Sequence, residues 1–238
     1  MEKREKLYEG KAKAIFATDD PKLVIQYFKD DATAFNGEKK GTITDKGVVN
    51  NLVTSRLMGI LAAVGIPTHF VKRLNQREQL IRKVEIVPVE VVIRNVVAGS
   101  LAKRLGREEG ERLPRPVVEF YLKSDALGDP LITLDHIDVF GWATDEEVEA
   151  IVEMSHRIND ALVAIFAGVG IRLVDYKLEF GRLPDGHDTL VLADEISPDT
   201  CRLWDMETNK KLDKDRFRRD LGGVEEAYHE ILHRLGLD

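Results

Sequence analysis

Cysteine is nearly absent. Cys201 stands alone among 238 residues, which excludes an internal disulfide and leaves the thiol as packing in a reducing compartment. The opening stretch MEKREKLYEG holds no apolar segment of signal-peptide length, and no uncharged run is long enough to cross a bilayer. The expectation is a cytoplasmic protein with no membrane partner. Positive charge is in deficit, 35 Lys and Arg against 42 Asp and Glu for a formal net charge of -7, which argues against a general nucleic-acid binder. Local basic clusters could still hold small phosphorylated ligands. Neither G-x-x-x-x-G-K-[ST] nor a strand-linked G-x-G-x-x-G occurs, so any ATP site is neither a P-loop nor a Rossmann crevice. No G-x-S-x-G elbow is present, and His69, His136, His156, His187, His229 and His233 show no H-E-x-x-H spacing. Serine or zinc hydrolysis is disfavoured accordingly. Internal repeats and low-complexity segments are also lacking.

What is present describes a globular chain, with 43% apolar and 32% charged residues. A chain of this length buries roughly 70–75% of its unfolded surface. Short strands are expected in KLYEGKAKAIF and LVIQYF, around a turn at Thr18 to Pro21. Thr44 and Asp45 precede a helix with Val49, Leu52, Val53, Leu57, Ile60, Leu61 and Val64 at helical spacing, stopped by Gly65 and Pro67. THFVKRL and QLIRKVEIVPVEVVIRNVVAG read as strands, with Pro88 as a crossing point. A short helix follows with Ser100 as N-cap, then a strand at VVEFYLK and a long helix from Thr144 toward Phe166. LVDYKLEFG and TLVLADEI form a hairpin centred on Asp185 and Gly186, and the tail from Asp213 is helical, broken at Gly222 and Gly223. Strands and helices come in blocks, which favours α+β with antiparallel sheets. Two lobes are expected, 1–87 and 88–238.

Three clusters can carry chemistry. In LVDYKLEFG, alternation puts Asp175, Lys177 and Glu179 on one face and Val174, Tyr176, Leu178 and Phe180 on the other. The hairpin would set Lys177 opposite Asp194, so three carboxylates and a lysine would converge and could hold Mg²⁺. A solvated face with cross-strand ion pairs fits the spacing equally. VPVEVVIRNVVAGS offers Arg94, Gly99 and Ser100 as a phosphate site, or a surface ion pair and a simple cap. YEGKAKAIF places Lys11 and Lys13 where they could follow a nucleotide's phosphates, or protect an edge strand.

VPVEVVIRNVVAGS and LVDYKLEFG, in this order and spacing, resemble the signature segments of the SAICAR synthetase family. The likeness extends to YEGKAKAIF, SDALGDP, LADEISPDTCRLWD and DKDRFRRDLGG. The resemblance implies an ATP-grasp-like fold, distantly similar to protein kinases. It implies an ATP-dependent ligase that joins carboxyaminoimidazole ribonucleotide (CAIR) to L-aspartate through an acyl phosphate, releasing ADP and phosphate. Carried onto this sequence, Lys11, Ala12 and Lys13 would line the ATP phosphates, with Arg82 and Lys123 as further nucleotide contacts. Arg94, Ser100 and Arg202 would clamp the 5′-phosphate, with Asp129 near the substrate. Asp175, Glu179 and Asp194 would surround Mg²⁺, Lys177 would neutralise the transferring charge, and Asp175 and Lys177 would be the catalytic pair. Asn36 and Lys39 lie in a segment without an assigned role. A homodimer is implied. An ATP-grasp-like ligase or kinase with a different phosphorylated acceptor, and a catalytically silent nucleotide binder, are the competing readings.

Overall fold

The structure, a computed structural model, describes residues 2–34, 37–184, 186 and 189–238. Two antiparallel sheets divide the chain. The first takes the order β1-β2-β3-β7-β6, from β1 (Lys6–Glu9), β2 (Lys13–Ala17), β3 (Leu23–Phe28), β6 (Phe70–Arg73) and β7 (Glu78–Arg82). The second takes β8 (Glu85–Val96), β9 (Arg112–Leu122), β10 (Leu131–Ile132), β11 (Ile171–Arg182), β12 (Leu190–Ala193) and β13 (Cys201–Asp205). A small ribbon pairs β4 (Asp31–Ala34) with β5 (Lys39–Thr42). The α+β class and antiparallel pairing agree with the sequence expectation.

The change of sheet falls at Lys83 and Val84, so a division at 87/88 lies inside β8. Pro88 does not end that strand. It sits where β8 and β11 shift register between Glu179 and Gly181, and a bulge is a place where a residue without an N–H costs the ladder nothing.

Helix α1 (Lys46–Ala63) lies against β3, β6, β7 and the C-terminal helix α6 (Val224–Arg234). Gly47 makes the approach possible, since a Cβ there would meet the Phe28 carbonyl oxygen at 2.4 Å. Helix α4 (Asp145–Ala167) starts where the sequence indicated. The Thr144 side chain accepts from the Glu147 N–H at 3.2 Å, and Glu147 returns an acceptor to the Thr144 N–H at 2.9 Å, a capping box worth about 1 kcal/mol. Its residues Ile151, Met154, Ile158, Leu162 and Phe166 recur at helical spacing and enter the main core with Tyr176, Leu178 and Phe180 of β11.

Strand β11 organises the second sheet. One edge pairs with β8; the other pairs with β13 over Ile171 to Tyr176 and with β12 over Glu179 to Arg182. Between the latter two, the segment 194–200 leaves the sheet and returns, and the Thr200 carbonyl takes the Lys177 N–H at 3.0 Å. The pairing of Glu179 with Ala193 moves the expected hairpin register by one. Asp194 therefore stands beyond the end of β12 in a left-handed backbone, φ 58°. Asp185, His187 and Asn36 lie outside the described residues. Strands β4, β5, β10 and β13 and the short helix α3 (Leu134–Val139) are additions to the sequence reading.

Candidate active site

A cleft of about 1020 Å³ opens between the sheets, and among its lining residues are all of Lys11, Ala12, Lys13, Arg82, Lys123 and Asp129. The charged face of β11 forms its floor, while Val174, Tyr176, Leu178 and Phe180 are buried on the core side. The alternation read from the sequence is therefore real, and the row lines the cleft.

At one end, acids and lysines interleave. Lys177 Nζ lies 2.6 Å from Glu90 and 3.0 Å from Glu179, and Lys123 Nζ lies 3.1 Å from Glu179. Lys13 crosses from the first sheet to pair with Asp194 and, at 2.9 Å, with Glu195. Burial opposes charge on Lys13 and Lys177, yet Asp194 with Glu195, and Glu179 with Glu90, hold the two ammonium groups above their ordinary range. Burial pushes the Glu90 carboxyl up. Burial also pushes His69, whose Nε2 lies 3.1 Å from the Asp194 carbonyl, down to about 4, so its ring is neutral near pH 7.

At the other end, Asp175 is taken by arginines. Arg94 Nη1 donates to it at 2.7 Å, and Arg202 Nη1 donates to both of its oxygens at 3.0 and 2.9 Å. Arg94 also donates to Glu119 at 2.6 Å, Ser100 Oγ at 2.9 Å and Tyr121 Oη at 3.0 Å. Arg202 Nε reaches Asp215 at 2.9 Å. The guanidinium of Arg202 packs on Gly99, φ 53°, where a Cβ would come within 2.5 Å of Nη2; this close approach and left-handed backbone both require glycine. Ser100 sits inside the first turn of α2 (Gly99–Leu105), not at its N-cap, which is Ala98. Its hydroxyl is turned to Arg94 instead. The expected trio Arg94, Ser100 and Arg202 is thus brought together around one carboxylate.

The expected convergence of Asp175, Glu179 and Asp194 does not occur. Asp175 and Glu179 are four residues apart on an extended strand, about 13 Å along the chain, and Asp175 is saturated by two guanidinium groups. Among the described residues, no three His, Cys, Asp or Glu side chains are grouped to hold a metal ion. Glu179 and Asp194 remain as hard oxygen donors at the lysine end, where the acids Glu90, Glu179, Asp194 and Glu195 outnumber the bases Lys13, Lys123 and Lys177 by one. That fits Mg²⁺, which takes one or two carboxylates and completes its shell with water and phosphate oxygens. It does not fit a three-carboxylate cage.

Other expected residues have local partners. Lys11 pairs with exposed Asp125 at 2.6 Å, and Asp129 Oδ1 accepts the Ser124 N–H at 2.9 Å. Lys39 holds the Phe217 carbonyl at 2.6 Å. Glu90, Glu195, Lys214 and Arg218 line the cleft without having been singled out. Glu90 was within reach of the sequence, since it stands four residues before Arg94 and so shares its strand face. Lys214 and Arg218 stand in a helical turn whose pattern reads as an exposed surface.

A family model described as SAICAR synthetase matches residues 6–235. A phosphoribosylaminoimidazole-succinocarboxamide synthase from Magnetococcus marinus is 68% identical over all 238 residues, 98% of its own length. The crystal structure of the phosphoribosylaminoimidazole-succinocarboxamide synthase from Ehrlichia chaffeensis is similar with a TM-score of 0.97 at 54% identity, covering 98% of this chain and 99% of that one. A SAICAR synthetase in complex with ADP is similar with a TM-score of 0.93 at 46% identity, covering 98% of each chain.

Proposed function

The chain belongs to the SAICAR synthetase family, and from that premise we propose that its cleft joins CAIR to L-aspartate with conversion of ATP to ADP and phosphate. The observation that carries this reading is the opposite charge of the two ends of one cleft. At the lysine end acids exceed bases by one, as counted above. At the arginine end the bases that line the cleft, Arg94, Arg202 and, from the short helix α5 (Asp215–Arg218), Arg218, exceed the lining acid among them, Asp175. A nucleotide carrying Mg²⁺ suits the first, and a bare phosphate monoester suits the second.

Glu179 and Asp194 would hold Mg²⁺ on the ATP phosphates, where it supplies charge neutralisation and alignment. Asp175 is the spacer that orients Arg94 and Arg202 toward the 5′-phosphate of CAIR, with Ser100 as a further donor. The CAIR carboxylate would then lie toward Lys177, whose ammonium has three donors, two of them directed to Glu90 and Glu179. An ionised carboxylate resists an amine. Attack of its oxygen on the γ-phosphorus, with departure of ADP, gives an acyl phosphate. The aspartate ammonium gives one proton to water, its nitrogen bonds to the carbonyl carbon, inorganic phosphate leaves with the former carboxylate oxygen, and loss of a second proton to water leaves the amide N–H. Such transfer depends on positioning and charge neutralisation more than on a protein nucleophile. Action in the cytoplasm and assembly as a dimer belong to the same reading, and light scattering at micromolar concentration tests the latter.

ADP release measured with Mg²⁺, CAIR and aspartate should require both acceptors. Release that continues without aspartate would point to a kinase or to a ligase with another acceptor.

A further inference from the structure

Strand alternation alone would carry Asp194 away from the cleft. Leu192 pairs with Phe180 and Ala193 with Glu179, and paired residues share a face. Leu192 and Phe180 lie in the main core, so a regular strand would send Asp194, two residues beyond Leu192, into that core as well. Instead its carboxylate meets Lys13 in the cleft. The reversal is made by the left-handed backbone at Asp194, φ 58°, a conformation that residues with a Cβ adopt at a cost.

One residue spans this turn. The His69 N–H donates to the Leu192 carbonyl at 2.8 Å, and its ring Nε2 lies 3.1 Å from the Asp194 carbonyl. A carbonyl only accepts, so Nε2 carries the hydrogen and donates. The His69 carbonyl takes the Arg82 N–H of β7 at 2.7 Å, and the Leu192 N–H donates to the Pro67 carbonyl at 2.8 Å. His69 is therefore fixed between the first sheet and β12, beside a parallel bridge of Thr68 with Leu192. It is 2% exposed and lines the cleft. Packing alone would be served by an apolar ring, because a buried imidazole costs stability unless its N–H is satisfied.

We propose that His69 is a positioning residue whose backbone and ring N–H groups hold residues 192–194, so that Asp194 leaves the core side and presents its carboxylate to the metal on the nucleotide phosphates. The inference rests on the metal role given to Asp194 in the ligase reading, and it concerns the turn rather than the ion. A partner that orients a metal-holding carboxylate is ordinarily worth about ten- to hundredfold in metal affinity or activity. The backbone N–H survives substitution, so the ring N–H is the part that a variant removes. Glutamine carries an amide N–H about as far from Cβ as Nε2. Asparagine stops at the place of Nδ1, and phenylalanine has no donor.

The test is calorimetric titration with ADP and, separately, with CAIR, the Mg²⁺ being fixed at the level half-saturating for the unmodified protein. His69→Asn and His69→Phe should weaken ADP binding about tenfold and raise the Mg²⁺ concentration for half-maximal rate by a similar factor, with CAIR binding changed less than about threefold. His69→Gln should recover most of the loss. In an Asp194→Asn background, His69→Asn should add little, because both changes act on one carboxylate. Unchanged ADP binding in both variants, a loss that His69→Gln shares in full, or full additivity with Asp194→Asn would overturn the proposal. Asparagine keeps polarity and phenylalanine keeps a ring, so if one variant fails to fold the other decides. ADP binding by the unmodified protein that ignores Mg²⁺ would take the metal from Asp194 and the proposal with it. Release of ADP without aspartate, by contrast, sinks the ligase reading alone.

Discussion

Asp175 and Asp194 bring the same carboxyl group into opposite surroundings. Among the described residues Asp175 accepts from guanidinium groups, whereas Asp194 meets the Lys13 ammonium beside Glu195. Their amide variants should therefore fail differently. Asp175→Asn removes the charge that orients Arg94 and Arg202, so the KM for CAIR should rise about ten- to hundredfold, the worth of one or two charged hydrogen bonds. The Mg²⁺ concentration for half-maximal rate should stay where it was. Asp194→Asn should raise that Mg²⁺ requirement and lower kcat while sparing CAIR. A shifted Mg²⁺ titration in Asp175→Asn would return that residue to the metal shell. The alternation of LVDYKLEFG was enough to give the face of Asp175, because strand geometry has a period of two. Its partners were not legible, because Arg202 arrives on β13 from 27 residues further along the chain.

Helix α1 shows the same divide among elements. Its apolar spacing was plain in the sequence, but Lys46, Asn50 and Thr54, four residues apart, form a second buried stripe with 1%, 0% and 0% exposure. A polar stripe on a helix ordinarily faces water, so sequence alone reads it as surface. Here it backs the 194–200 segment. Lys46 Nζ donates to Asp199 at 2.9 Å, Thr54 Oγ1 to the Ile196 carbonyl at 3.2 Å, and Tyr228 of α6 to Asp199 at 2.5 Å. Against the cost of burial, Lys214 and Lys46 hold the Asp199 carboxyl well below the usual range. A depressed acid stabilises the fold above its unfolded value near 3.9 and loses that contribution as pH falls toward its folded value. Asp199→Asn strands a buried ammonium and should cost about 3–5 kcal/mol in urea unfolding at pH 7. The difference from the unmodified protein should narrow below about pH 4, as the unfolded-state carboxyl takes up its proton while the native one stays ionised. A gap that persists undiminished into acid would mean that packing, not charge, sets the cost.

The whole molecule is a cleft between two sheets, with surplus carboxylate at one end and surplus guanidinium at the other. Its class and most strand positions follow from β-branched runs, turn residues and the Thr144 cap, all of which act within a few residues. Sheet membership does not, since β8, β12 and β13 meet on β11 from separate parts of the chain. Nor does charge polarity, because a net -7 averages over both ends. The polarity predicts different metal dependence for the two nucleotides. In excess EDTA, CAIR alone should still raise the melting temperature, since its phosphate meets a surplus of arginine. ATP alone should not, because its phosphates meet acids that outnumber the lysines. Restoring Mg²⁺ should restore stabilisation by ATP. A ligand at about a hundred times its Kd contributes about 2.7 kcal/mol, roughly 5–10 °C for a chain of this size, well within reach of a thermal melt. Equal stabilisation by ATP with and without Mg²⁺ would show that Lys13, Lys123 and Lys177 suffice for the phosphates, and the carboxylates Glu179 and Asp194 would then need another role.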